Sequence, residues 1–174
     1  RSSAASDVYK RQACKMEPWE GDAVVSLYDA QGKELATFPQ AGRFLFSASS
    51  DYLVVSQKPG KMIMDSLKIK KTKKEKMPMD ALVIYSLAGN REVIDSLRTF
   101  KLAEKLDWLA FQKGRKDSTL YGRPLNVKLS TRYEAPAVKA FNFVEKSGML
   151  YYITAGDKAK EKPGLYLLNT ETGV

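Results

Sequence analysis

One spacing recurs three times along this chain, and it narrows the possible folds more than any other feature. Phe44-x-Phe46 is followed, seven residues after Phe46, by Leu53 within Tyr52-Leu53-Val54-Val55. Phe100-x-Leu102 is followed at the same distance by Leu109 within Trp108-Leu109-Ala110-Phe111. Phe141-x-Phe143 is followed by Leu150 within Met149-Leu150-Tyr151-Tyr152. Each copy reads as two strands and a turn. Alternation of Phe100 and Leu102 with Thr99 and Lys101 puts apolar groups on one strand face. The gaps carry turn-formers: Ser49-Ser50-Asp51, Glu104-Lys105 and Lys146-Ser147-Gly148. The second strand is apolar on both faces, as an inner strand covered on both sides should be.

A further hairpin follows each copy. Leu82–Leu87 turns at Ala88-Gly89-Asn90 and returns through Glu92-Val93-Ile94. Pro124–Leu129 turns at Ser130-Thr131-Arg132 and returns toward Val138. Gly164–Asn169 runs into Thr170-Glu171-Thr172-Gly173. Ahead of the first copy, Ala23–Tyr28, the turn Asp29–Gly32 and Lys33–Phe38 form the same hairpin without its first two strands. One unit is therefore four antiparallel strands. Phe100 and Phe141 lie 41 positions apart, and Phe44 and Phe100 lie 56 apart, the longer unit holding an insertion over 58–80. Units of roughly 40–50 residues with four strands are the signature of β-propeller blades. An immunoglobulin-like sandwich also uses many short strands, but has no reason to repeat one two-strand spacing three times.

The expected architecture is all-β: a partial propeller of about three and a half four-stranded antiparallel blades, with an open ring, since closed rings use about 4–8 blades. Its parts are a half blade over 23–38, a blade over 43–95 carrying the Lys-rich insertion 58–80, a blade over 99–138 and an incomplete blade over 140–174. Arg1–Gln12, RSSAASDVYKRQ, has no apolar periodicity and no signal-peptide core. It reads as a non-native, adapter-derived extension outside the fold, so 13–174 is taken as the domain. Both ends look cut, and the parent protein is expected to be longer.

At these residues a resemblance enters. Asp65–Gly114, DSLKIKKTKKEKMPMDALVIYSLAGNREVIDSLRTFKLAEKLDWLAFQKG, resembles the N-terminal propeller of large prolyl-oligopeptidase-like serine peptidases of Bacteroidetes. The lysine insertion beside MPMDALVIYSL is its most distinctive part. LNVKLSTRYEAPAVKAFNF (Leu125–Phe143) and GLYLLNTETG (Gly164–Gly173) continue the blade pattern. The resemblance implies a propeller that gates and positions peptide substrate for a C-terminal α/β-hydrolase domain of the same parent chain. That hydrolase domain is absent here, so no catalytic residue carries over. It also implies a periplasmic or secreted protein. A stand-alone propeller that binds a protein or glycan is the alternative of a different class.

The chain contains no histidine, so a Ser-His-Asp or Cys-His machine lacks its base. It has no G-x-S-x-G elbow, no phosphate-cradling loop and no His/Cys cluster for metal. Catalytic, cofactor-binding and metal-binding residues are all assigned as none, and no cofactor is expected. Cys14 stands alone as an ordinary thiol. No apolar run approaches the roughly 18 residues of a membrane-spanning helix.

Net charge is +9, of which Lys61–Lys76 supplies +5. The basicity is local. Lys68–Lys76 suits a phosphate or an acidic partner, or is a solvated, disordered excursion between two strands. No aromatic residue lies within Lys61–Asp80 to stack on bases, so nucleic acid is not an expected partner. Trp108, Phe111, Tyr151 and Tyr152 fall at repeat positions. They are candidates for a ligand channel, with packing between blades the favoured role. Trp19 has no repeat counterpart, and Leu120–Pro124 reads as an exposed linking loop.

The purified chain is expected neither to cleave peptide substrates nor to react with a serine-directed fluorophosphonate. Stoichiometric labelling lost on a single Ser→Ala change would overturn that expectation.

Overall fold

The computed structural model describes residues 11–116, 118–126, 133–155 and 162–170, and the backbone alone of 2–7. Strands dominate, and neighbours in sequence are neighbours in each sheet. The first sheet contains β1 (Ser2–Asp7), β2 (Arg11–Met16), β3 (Val24–Asp29) and β4 (Glu34–Pro39) in that order. The second contains seven: β5 (Ala41–Phe46), β6 (Tyr52–Gln57), β7 (Asp80–Ser86), β8 (Arg91–Leu102), β9 (Trp108–Lys113), β10 (Leu120–Pro124) and β11 (Tyr133–Ala135). The third contains β12 (Val138–Phe143), β13 (Met149–Thr154) and β14 (Gly164–Asn169). The ladders are antiparallel. One helix, α1 (Lys61–Ile69), and a short 3-10 turn at Lys74–Lys76 connect β6 to β7.

The chain forms two compact units that divide at β8: Ser96 closes the first and Leu97 opens the second. The second half of β8, Leu97–Leu102, pairs with β9. Ser96 sits at φ 59°, and the ladder shifts register between Leu97 and Thr99. A left-handed serine costs about 1 kcal/mol, and this residue marks the point where one long strand changes allegiance. The seven-stranded sheet is thus two four-stranded sets joined through one strand.

Within the first unit, Ala13, Val25, Leu27 and Phe38 of the first sheet pack on Leu53, Val55 and Val83. The β3–β4 turn is set by Asp29, whose carboxylate accepts from the Gln31 and Lys33 amides, with Gly32 at φ 80°. In β5 a bulge falls between Ala41 and Phe44. The Ser56 hydroxyl seals it, accepting from the Arg43 amide at 2.8 Å and donating to the Arg43 carbonyl.

Within the second unit, Trp108, Ala110 and Leu120 pack with Phe141, Leu150, Tyr152 and Leu168. The buried Gln112 side chain donates to the carbonyls of Ser118 and Val138, tying β9 to the chain on either side of β11. The Thr154 hydroxyl contacts the Pro136 and Ala137 carbonyls and fixes the turn before β12.

Several expectations need correction. The hairpin over 23–38 is not a half unit here, because β1 and β2 lie beside it and Ala13 is buried in its core. Residues 11 and 12, set aside with the extension, lie inside β2. Ladder pairing is a backbone interaction and needs no apolar alternation, which is why the pattern missed it. Leu120–Pro124 is a buried strand, not an exposed loop, and Leu125 and Asn126, expected inside a strand, form a turn. Residues 127–132 and 171–174, where further strand and turn were expected, lie outside the described residues. The insertion is partly helical, because Met62, Ile63, Leu67 and Ile69 are reasonable helix formers between the lysines. The second repeat strand is buried on both faces in β6 and β9, whereas β13 leaves Met149 and Ile153 exposed.

Gly122 explains the strand that the pattern missed. The Trp108 indole lies across it, and a Cβ built there would stand 2.5 Å from Trp108 Cζ3. Glycine in a strand commonly marks such a close approach. Gly122→Ala should therefore force the indole off its site and cost about 1–3 kcal/mol, read as a lowered urea midpoint. An unchanged midpoint would mean that the ring has room to move.

Candidate functional site

In the first unit, three connections meet around a cleft of about 390 Å³. Glu17, Pro18, Trp19, Gly21 and Asp22 come from the β2–β3 connection, Gln40 and Ala41 from the β4–β5 junction, and Lys58, Pro59 and Lys61 from the start of the insertion. Backbone bonds hold them together. The Ala41 amide donates to the Ala23 carbonyl, and the Lys58 amide donates to the Gln40 carbonyl, both at 2.8 Å. Gln40 reaches this position with φ 58°, and Gly21 turns its loop at φ 111°. Asp22 Oδ1 accepts from the Lys61 amide at 2.8 Å and so caps α1 from outside the helix. A free helix amide satisfied in this way stabilises the first turn. Gly60 permits the approach, since a Cβ there would lie 2.8 Å from Gln40 Nε2.

The cleft carries mixed charge. Lys15, Lys58 and Lys61 face two acids, Glu17 and Asp22. Glu17 pairs with Lys15 at 2.5 Å, and that hydrogen bond holds its carboxyl below the ordinary range. Asp22 is engaged by the helix. Near Lys58, burial raises the Asp80 carboxyl above its ordinary value while the lysine charge opposes the rise. Among the described residues no group of three or more His, Cys, Asp or Glu is placed to hold a metal ion. No helix among them is long and apolar enough to cross a membrane. Trp19, left unassigned by the repeat, is 97% exposed at the cleft.

The aromatic candidates are dispersed into packing. Trp108, Phe111 and Tyr152 are buried, and Tyr151 is half-buried. Phe111 stacks on Tyr121 with centroids 5.5 Å apart. Tyr152 stacks on Tyr166 at 5.3 Å, and its hydroxyl meets that of Tyr133 at 2.5 Å. These rings brace the second unit. Cys14 is a half-buried free thiol in β2. The lysine run divides between the last turn of α1, the 3-10 turn and their link. The cleft itself escaped the sequence pattern because it is built from connections at three separate places in the chain. Its one signal was a tryptophan without a repeat counterpart.

Among solved structures, the chain is similar to the beta-propeller domain of the Trilobed protease from Pyrococcus furiosus. The TM-score is 0.50 at 7% identity, over 90% of this chain and 48% of that one. The chain has a propeller-like fold. It thus spans about half the length of that propeller chain. Pyrococcus horikoshii acylaminoacyl peptidase matches with a TM-score of 0.44 at 8% identity, over 90% of this chain and 29% of that one. A eukaryotic initiation factor matches at 0.35 and 12%, over 91% and 48%. These two scores are too low to carry argument. No family model and no curated protein matches the sequence.

Asp80, which is not part of the cleft lining but feels the charge of Lys58, gives the first unit a pH signature. Its folded-state pKa is raised, so the folded protein holds the proton more tightly than the unfolded chain. Stability from this group is fully present below the ordinary value of 3.8 and falls as pH rises through the folded value. Asp80→Asn should therefore raise the melting temperature at neutral pH and leave it unchanged near pH 3, within about 1 °C. A lowered melting temperature at neutral pH would show that its ion pairing outweighs its burial.

Proposed function

We propose that this chain is the non-catalytic propeller portion of a prolyl-oligopeptidase-like serine peptidase, gating and positioning peptide substrate for an α/β-hydrolase domain of the parent protein. The observation that carries this reading is the propeller-like fold, whose match is the propeller domain of a protease. The resemblance around Asp65–Gly114 points the same way. In this reading the first sheet is one blade. β5, β6, β7 and the first half of β8 are the second blade, and the rest of β8 with β9, β10 and β11 is the third. β12, β13 and β14 belong to a fourth.

The chemistry agrees with a gating role. With no histidine in the sequence, the chain has no general base of the usual triad type. A propeller contributes by restricting access and by holding substrate, and binding energy spent on positioning is itself catalytic when the reacting groups lie on another domain. The periplasm or the extracellular space is the proposed compartment.

Carrying the reading frame past Val174 tests the proposal. A G-x-S-x-G elbow followed by Asp and His is expected. The longer protein should cleave short peptides and take a fluorophosphonate on that Ser. A frame that continues through further four-stranded repeats and stops without a hydrolase would replace this reading with a stand-alone binding module.

A further inference from the structure

Helix α1 buries none of its residues. A nine-residue helix is marginal by propensity alone, and most helices are held by packing an apolar face. Met64 and Leu67 are half-buried, but the other apolar groups face outward: Met62 is 88% exposed and Ile69 82%, with Ile63 also exposed. At 100° per residue, Met62 and Ile69 project about 20° apart, and Ile63 about 100° from Met62, so they share one side of the helix. Trp19 lines the same cleft as Lys61, the first residue of the helix. Single exposed apolar residues are ordinary. Three on one short helix, with an exposed indole at the cleft where that helix starts, are not scattered singly.

The charge is gathered in the same segment. Lys68, Lys70, Lys71, Lys73, Lys74 and Lys76 follow or close the helix, against Asp65 and Glu75. Lys68 reaches Asp65 at 3.3 Å in an exposed pair that water screens. A protruding indole, an outward aliphatic stripe and dense lysines together form the pattern of an interfacial amphipathic helix. We propose that α1 with its lysine tract and Trp19 docks this protein on an anionic lipid surface, the aliphatic stripe and indole entering the headgroup boundary and the lysines meeting lipid phosphates. This goes beyond the peptidase-propeller reading and does not rest on it. A nucleic-acid backbone would engage the lysines and offer nothing to Met62, Ile63 and Ile69. An acidic polypeptide is the remaining competitor.

Sedimentation of the 174-residue chain with vesicles tests this directly. Phosphatidylcholine vesicles containing phosphatidylglycerol should pellet the protein, pure phosphatidylcholine vesicles should not, and added salt should release it. The chain has two tryptophans, and Trp108 is buried. The blue shift of emission on binding should therefore vanish in Trp19→Phe. Each of Lys70→Glu and Lys73→Glu should weaken binding roughly fivefold or more. Met62→Ser with Ile69→Ser should abolish the shift at unchanged charge. Replacing Lys61–Met77 by a Gly-Ser linker should keep the strand signal in circular dichroism and lose pelleting. Absence of pelleting, equal pelleting with neutral vesicles, or persistence in the linker variant would overturn the proposal. So would full competition by soluble polyphosphate with no effect of the Met62 and Ile69 changes, which marks a plain anion patch. Tight binding to polyglutamate without any vesicle binding would assign the patch to an acidic protein.

Discussion

Stacking of one twisted sheet on another is the interaction on which the remainder of this structure depends. A lone sheet with an apolar face has nowhere to hide it. In the first unit Val25 and Leu27 of β3 meet Leu53 and Val55 of β6. In the second, Trp108 and Ala110 of β9 meet Leu150 and Tyr152 of β13. Each fully buried side chain of this kind contributes about 1.5–3 kcal/mol, so a handful of them sets the scale of stability of each unit. The repeat spacing follows from this. Residues seven positions beyond the first strand, namely Leu53, Leu109 and Leu150, are all fully buried, because the turn length delivers the same face of the second strand to the same neighbour.

β8 links the two units along the chain. Its two halves serve different four-stranded sets, so no loop intervenes where one set ends and the next begins. The change needs a local break in strand geometry, which Ser96 supplies with its left-handed backbone and the adjoining register shift supplies in the ladder. A strand shared in this way couples the ends of successive repeats covalently.

Legibility in the sequence tracked side-chain pattern and failed where backbone or context decided. The hairpins that begin at Phe44, Phe100 and Phe141 are readable because alternation and turn residues coincide there. β10 is not, because Gly122 and Pro124 look like breakers until the Trp108 indole is seen lying over the glycine. β1 and β2 carry no alternation, and their pairing rests on amides and carbonyls that every sequence has. α1 was hidden under a like-charge run none of whose apolar members is fully buried, which removes the core-facing stripe that pattern reading relies on. The cleft required three connections to be placed together, and no local spacing encodes that.

The insertion separates what the fold needs from what it merely carries. β6 and β7 pair without interruption from Tyr52 with Ser86 to Gln57 with Ala81, although the whole of α1 and the lysine tract lies between them. Closing a longer connection costs little, since each doubling of loop length adds only about 0.6 kcal/mol. The ladder and the sheet stacking therefore neither require the insertion nor are strained by it. A packing role would have left some of its side chains in the core, and none is buried in the helix or in the 3-10 turn. The Asp22 carboxylate at the Lys61 amide fixes where the helix starts, and Met62, Ile63 and Ile69 remain exposed. These three side chains stay exposed beside a dense positive charge. The proposed docking on an anionic lipid surface would give them a place.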